Sequence, residues 1–189
     1  MFIWYTCVLS MNQIQTRKVL GFWDKQGKYV FTKNELGKLF PSDAPKTFDE
    51  GLARLVRCNL LQRACRGIYV YSEATSFDGY VIEHIAKALR QGHYNYLSLE
   101  SMLSEYGVIS QIPIDRLTVM TTGRSGTYKT VFGVIEFTHT KRPVADIIKH
   151  IKTVGKRPLR IASKKIAWRD LKRVGRNIEM VNLEELDDE

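Results

Sequence analysis

The sequence predicts a mixed α/β (α+β) protein in two parts, a small helical module closed by a strand pair and a larger α/β domain. Three observations carry that prediction. From Asn12 to Arg57 apolar residues recur mostly at helical spacing, and two short apolar runs in NLLQRACRGIYVYS follow at once, the second of them, Ile68-Tyr69-Val70-Tyr71, β-branched and aromatic. Beyond Ser76-Phe77-Asp78-Gly79 the pattern then alternates between helical stripes and strand-like runs. With 189 residues, 44% of them hydrophobic, the chain is long enough to bury one core or two. The boundary is expected near Ser76, giving parts 1–76 and 77–189.

From Asn12, residues Ile14, Val19, Leu20 and Trp23 fall roughly on one helical face until Gly27 breaks the pattern. Tyr29-Val30-Phe31 is a short extended run. Thr32 and Glu35 then stand at capping-box spacing before Leu36, Leu39 and Phe40, which predicts a second helix ending at Pro41. A third helix should begin at Pro45, where the missing N–H costs nothing, with Phe48, Leu52, Leu55 and Val56 as its inner stripe. Lys46, Glu50, Arg54 and Arg57 then project from its other faces. Arg66-Gly67 predicts a tight turn between the two runs that follow, so the hairpin carries Arg63 and Arg66 at a cationic tip.

Three helices followed directly by a basic hairpin make a winged helix-turn-helix. In that arrangement the third helix enters the major groove of double-stranded DNA and the wing meets phosphate or the adjacent minor groove. Base-edge readout is expected from Lys46, Thr47 and Glu50, phosphate or base contacts from Arg54 and Arg57, and wing contacts from Arg63 and Arg66.

Net charge is +9 with a pI near 9.5, which points to a polyanionic partner. Residues 1–76 hold 11 Lys or Arg against 6 acids, and residues 77–140 hold 5 against 6. Residues 141–176 hold 13 against 2, and the tail from Asn177 carries 6 acids and no base. The densest basic block is thus outside the winged helix. Either it is a second polyanion surface, built from Lys164, Lys165, Arg169, Lys172 and Arg173 with Arg124 and Lys129, or it is a solvated face partly neutralised by the tail.

In the second part, Val81, Ile82, Ile85, Ala86 and Leu89 form a helical stripe ending at Gly92. Leu97 to Tyr106 reads as a helix with Ser98 as its N-cap. Leu117 to Thr121 and Val131 to Phe137 have strand character, joined by TGRSGTYK as a hairpin connection. Lys164 to Val174 is a basic helix with Ile166, Ala167, Leu171 and Val174 inside and Trp168 near them.

No motif commits to a chemistry, so no enzymatic activity, cofactor or metal is expected. TTGRSGTYKT has Tyr128, not Gly, before its lysine and fails the Walker pattern. His84, His93, His139 and His150 are scattered, and Ser98 and Ser101 lack the G-x-S-x-G elbow. Glu100, Glu105 and Glu136 read as surface or cap residues. Three cysteines without C-x-x-C spacing suit a reducing cytoplasm, and no apolar run reaches the roughly 18 to 20 residues of a membrane span. The first ten residues, MFIWYTCVLS, lack the basic flank and cleavage site of a signal peptide and read as an extension before a start at Met11.

Taken together, LVRCNLLQRACRGIYV, HYNYLSLESMLSEYGVISQIP and LTVMTTGRSGTYKTVFGVIEFTHTKR give the chain a family likeness from about Met11 to Gly175. It resembles the AbiEi-type antitoxins of bacterial abortive-infection (type IV) toxin–antitoxin systems. YLSLESMLSEYG and TTGRSGTYKT are its most distinctive parts. The resemblance implies that the N-terminal module binds inverted repeats in its own promoter and represses the operon. It also implies that the C-terminal domain is an antitoxin domain that opposes a nucleotidyltransferase-like toxin without a stable complex. Residues 1–10 have no counterpart in the pattern, and the chain lacks the long C-terminal extension of some relatives. The alternative from another class is a winged-helix module that binds a protein or RNA without reading DNA sequence.

Overall fold

A computed structural model describes residues 11–110 and 116–186, so the expectation for residues 1–10 lies outside the described residues. The described residues form seven α-helices and two sheets, the mixed α+β class expected. The chain divides into two compact units between Gly79 and Tyr80.

In the first unit, α1 (Gln13–Asp24) is capped by Asn12, whose side chain accepts from the Gln15 N–H at 2.8 Å. Its buried residues are Thr16, Leu20 and Asp24, one turn apart, while Ile14 is 70% exposed. The expected stripe of Ile14, Val19, Leu20 and Trp23 is therefore displaced. Two polar residues take the inner face because each is satisfied there. The Thr16 hydroxyl donates to the Asn12 carbonyl, and Asp24 accepts four hydrogen bonds from the backbone and hydroxyls of Thr75 and Ser76.

β1 (Val30–Thr32) leads directly into α2 (Lys33–Leu39) through the capping box, with Thr32 and Glu35 bonded reciprocally. α3 (Pro45–Arg57) starts on its proline and buries Phe48, Gly51, Leu52 and Leu55. β2 (Leu61–Cys65) and β3 (Ile68–Tyr71) form the hairpin, with Gly67 at φ 80° in its turn. The sheet runs β1-β3-β2, all antiparallel, so β3 is central and all four of its residues are buried. The Lys33 N–H donates to the Gly67 carbonyl at 2.8 Å, tying the hairpin tip to the start of α2.

The second unit is a six-stranded mixed sheet in the order β6-β7-β5-β4-β9-β8. Its strands are β4 (Asn95–Leu97), β5 (Arg116–Thr121), β6 (Gly126–Thr130), β7 (Gly133–His139), β8 (Ile151–Lys152) and β9 (Arg160–Ala162). Its helices are α4 (Val81–Leu89), α5 (Leu99–Glu105), α6 (Val144–Lys149) and α7 (Lys164–Val174). The sheet departs from the sequence expectation in two places. β5 and β7 are parallel neighbours, so TGRSGTYK is not the turn of a hairpin between them. Its second half is β6, which pairs antiparallel with β7, and the tight turn lies at Val131-Phe132. The run expected as one helix from Leu97 is divided: Leu97 ends a strand, and the Ser98 hydroxyl makes no cap bond because it donates to Asp170 at 2.8 Å.

α7 buries Ile166, Ala167, Asp170 and Leu171, with Val174 left half-buried. The tail through Leu186 is packed onto this unit. Val181 bridges Ile109, the Asn182 N–H donates to the Val108 carbonyl, and Leu186 is buried.

Candidate nucleic-acid interface

The inner stripe of α3 leaves Lys46, Thr47, Glu50, Ala53, Arg54 and Arg57 exposed. At helical spacing these positions share one outward face. Beside it runs the hairpin. Arg63 stands opposite Tyr69 on β2, next to a register shift between Arg63 and Cys65, and Arg66 occupies the turn; both side chains are exposed. Between α3 and the hairpin lies a groove of about 590 Å³ lined among others by Lys33, Asp49, Ala53, Val56, Arg63 and Arg66.

Charge within that groove is uneven. Lys33 and Asp49 pair at 2.5 Å and cancel, which leaves Arg63 and Arg66 as its net cations. Arg54 is partly committed inside the unit, because its Nη2 donates to the Met11 carbonyl at 2.6 Å. It retains other N–H donors, but its head is anchored rather than mobile. Burial pushes the Cys65 thiol up against the opposing effect of Arg63, so the sulfur beside the turn stays protonated at neutral pH and is a poor nucleophile.

The expected second polyanion surface is not one surface. Arg124 is exposed on a cleft of about 700 Å³ that also contains Arg90, His93, Tyr128 and His139, and Lys129 is exposed on β6. Arg90 organises this cleft. Its guanidinium lies 5.0 Å from the Tyr128 ring centroid and 4.4 Å from that of Phe137, and it donates to the Arg124 carbonyl and the Tyr128 hydroxyl. Gly123 is tightly enclosed: a Cβ there would meet the His93 ring at 3.0 Å and Arg90 Cδ at 3.2 Å, so these side chains would have to shift by a few tenths of an ångström to admit it. Sequence reasoning missed Arg90, His93 and His139, because neither imidazole sits in a ligand spacing and the three come from the end of α4, the turn before β4 and the end of β7.

The remaining members are on α7. Lys165 and Arg173 are exposed, the Lys164 ammonium donates to the Glu185 carbonyl, and the Lys172 ammonium lies 5.1 Å from the Trp168 ring centroid. Arg169 and Arg173 line a separate concavity. Three other arginines of the basic block are turned inward onto acids. Arg142 pairs with Asp170, Arg157 with Glu83 and Glu105, and Arg176 with Glu100 and Glu136. Glu100 is therefore buried and paired rather than a surface residue, and Glu136 is a bridge between Arg116 and Arg176.

Among the described residues no group of three or more His, Cys, Asp or Glu converges as a metal site, and no helix is long and apolar enough to cross a membrane. No family model matches the chain, and no curated protein matches it. Among solved structures it is similar to the RV2827C protein from Mycobacterium tuberculosis, at 18% identity and a TM-score of 0.47. That likeness covers 69% of this chain and 46% of the other, so the chain spans less than half the length of the structure it matches. No function follows from a likeness of that size.

Proposed function

We propose that the chain is a DNA-binding autorepressor and antitoxin of a toxin–antitoxin operon, with the first unit as a winged helix-turn-helix. The observation that carries this reading is the pairing of an exposed polar face on α3 with an adjacent ribbon bearing two unneutralised arginines. A rigid helix face supplies side chains that reach base edges, and a tethered ribbon holds long cations at the level of the phosphates. Lys46, Thr47 and Glu50 read bases near the start of α3, Arg57 and the anchored Arg54 contact the backbone farther along, and Arg63 and Arg66 are wing contacts. The partner is double-stranded DNA carrying repeats in the chain's own promoter.

The antitoxin half of the proposal is supported by the resemblance of YLSLESMLSEYG and TTGRSGTYKT to AbiEi-type antitoxins. Those segments contribute α5 and β6 of the second unit, and the TTGRSG turn walls the Arg90 cleft. The functional partner is a nucleotidyltransferase-like toxin, opposed without a stable complex in the cytoplasm. A reporter fused to the chain's own upstream region tests the reading. Expression of the chain should lower reporter output, and Lys46→Ala with Glu50→Ala should restore it at equal protein level. Unchanged output with the intact chain would remove the repressor role.

Ala53, Val56 and Tyr69 line part of the groove, which favours one second reading, a module that holds an apolar peptide there. In that case Val56→Asp would abolish function while Arg63 and Arg66 could be replaced freely.

A further inference from the structure

The second unit contains a concave site of about 430 Å³ that DNA reading by the first unit does not use, lined by Lys141, Arg142, Pro143, Asp146, Arg169 and Arg173. Four cations face a single carboxylate there. That volume falls within the roughly 300 to 1,000 Å³ of small-molecule sites.

The wall of this site is fixed by a buried polar network. Asp170 is fully buried; its Oδ2 accepts from the Ser98 hydroxyl at 2.8 Å and from the Tyr96 hydroxyl at 3.1 Å. Its Oδ1 lies 2.7 Å from Nη2 of Arg142, an arginine side chain only 8% exposed. Burial and the neighbouring Asp170 push the Tyr96 phenol well up, so it remains a donor to that carboxylate. The Arg142 contact is an ion pair without hydrogen-bond geometry, so charge alone holds that guanidinium beside Oδ1.

Arg169, next to Asp170 on α7, has no such partner. Its Nε and Nη2 atoms are buried and make no hydrogen bond among the described residues. These two atoms are sealed from the concavity, so it is the remainder of the guanidinium that lines it. Arg173 lies one helical turn farther along α7, and like charges four residues apart repel. With Lys141 on the same concavity, an anion seated among the three would offset the repulsion between these cations. An internal phosphodiester carries one charge and is flanked by sugars on both sides, which suits an open ridge. A terminal phosphate carries close to two charges and enters end-on, which suits a concavity.

We propose that this site binds a ligand bearing a terminal phosphate or diphosphate, seated among Lys141, Arg169 and Arg173. The site is independent of operator recognition.

Calorimetric titration of the full chain with inorganic pyrophosphate, and separately with ATP, tests this. Saturable one-to-one binding of pyrophosphate is expected. Arg173→Gln, at an exposed position that leaves the fold intact, should weaken it about tenfold, the loss of one charge-assisted contact. Arg169→Gln should do the same or more, whereas Arg66→Ala in the first unit, a change directed at DNA binding, should leave the pyrophosphate isotherm as it is. ATP binding no tighter than pyrophosphate means that phosphate alone is held; tighter ATP binding means that the nucleoside adds contacts, and either supports the site. No saturable binding at millimolar pyrophosphate, unaltered binding in Arg173→Gln, or equal loss in Arg66→Ala would overturn the proposal. So would displacement of pyrophosphate by a duplex with 5′-hydroxyl ends, which would make the concavity part of a nucleic-acid face.

Discussion

Replacing Arg63 and Arg66 together by alanine should flatten the salt dependence of DNA binding without disturbing the fold. Both side chains are exposed, and neither makes a hydrogen bond or ion pair among the described residues, so the substitutions break no contact and stability should stay within about 0.5 kcal/mol. Each arginine that neutralises one phosphate releases a condensed counterion and contributes a slope of about 0.9 to the fall of log affinity with log salt. Two wing contacts therefore contribute about 1.8. Raising salt from about 50 to 200 mM is a fourfold change, so the intact chain should lose about twelvefold more affinity over that range than the double variant. The assay is fluorescence anisotropy with the chain's own upstream duplex at four or more salt concentrations. Parallel log–log lines would refute the wing assignment, whatever the absolute affinities.

Three further outcomes follow from the geometry. Asp170→Asn keeps the shape of the buried network but leaves Arg142 uncompensated, and should cost the second unit about 3 to 5 kcal/mol in urea unfolding; a loss below about 1 kcal/mol would show that the network is not what holds Arg142. Burial pushes the Asp24 carboxyl up, but hydrogen bonds from Ser76 and then Thr75 outweigh it and hold its pKa at about 2, down from 3.8. Because the folded value is the lower one, this contribution is complete above about pH 4 and lost as pH falls toward 2. Discounted for solvent screening, it should make acid unfolding of the intact chain steeper than that of Asp24→Asn by on the order of 1 to 2 kcal/mol, and superimposable curves would contradict it. Gly123→Ala forces a methyl against the His93 ring and Arg90, and thermal unfolding should report a loss of about 1 to 3 kcal/mol; an unchanged melting temperature would mean that the cleft wall yields freely.

What the sequence made legible was chemistry confined to a few neighbouring residues. Thr32 with Glu35, Pro45 at a first turn and Gly67 in a tight turn each declare a local geometry, and each stands where expected. The first helix was misread because apolar periodicity assumes an apolar inner face, whereas Thr16 and Asp24 are buried through hydrogen bonds that spacing does not reveal. β4, β8 and β9 span two or three residues each, too short for any period to register. The parallel pairing of β5 with β7 depends on β6 leaving the line between them, and turn chemistry in TGRSGTYK is compatible with either topology. For the candidate sites, the outward face of α3 follows from its inner stripe and was readable. The inward arginines were not, because Arg142, Arg157 and Arg176 find acids 28 to 76 positions away, which a count of charges cannot anticipate.

The most direct test of sequence-reading by the first unit is a titration of the full chain against its own upstream duplex and a scrambled duplex of equal length and composition, across several salt concentrations. Tight binding to the native duplex is expected, with a preference over the scrambled one that persists as salt rises. Equal affinities that fall together with the same steep salt slope would contradict it, reducing the basic charge to a non-specific footprint.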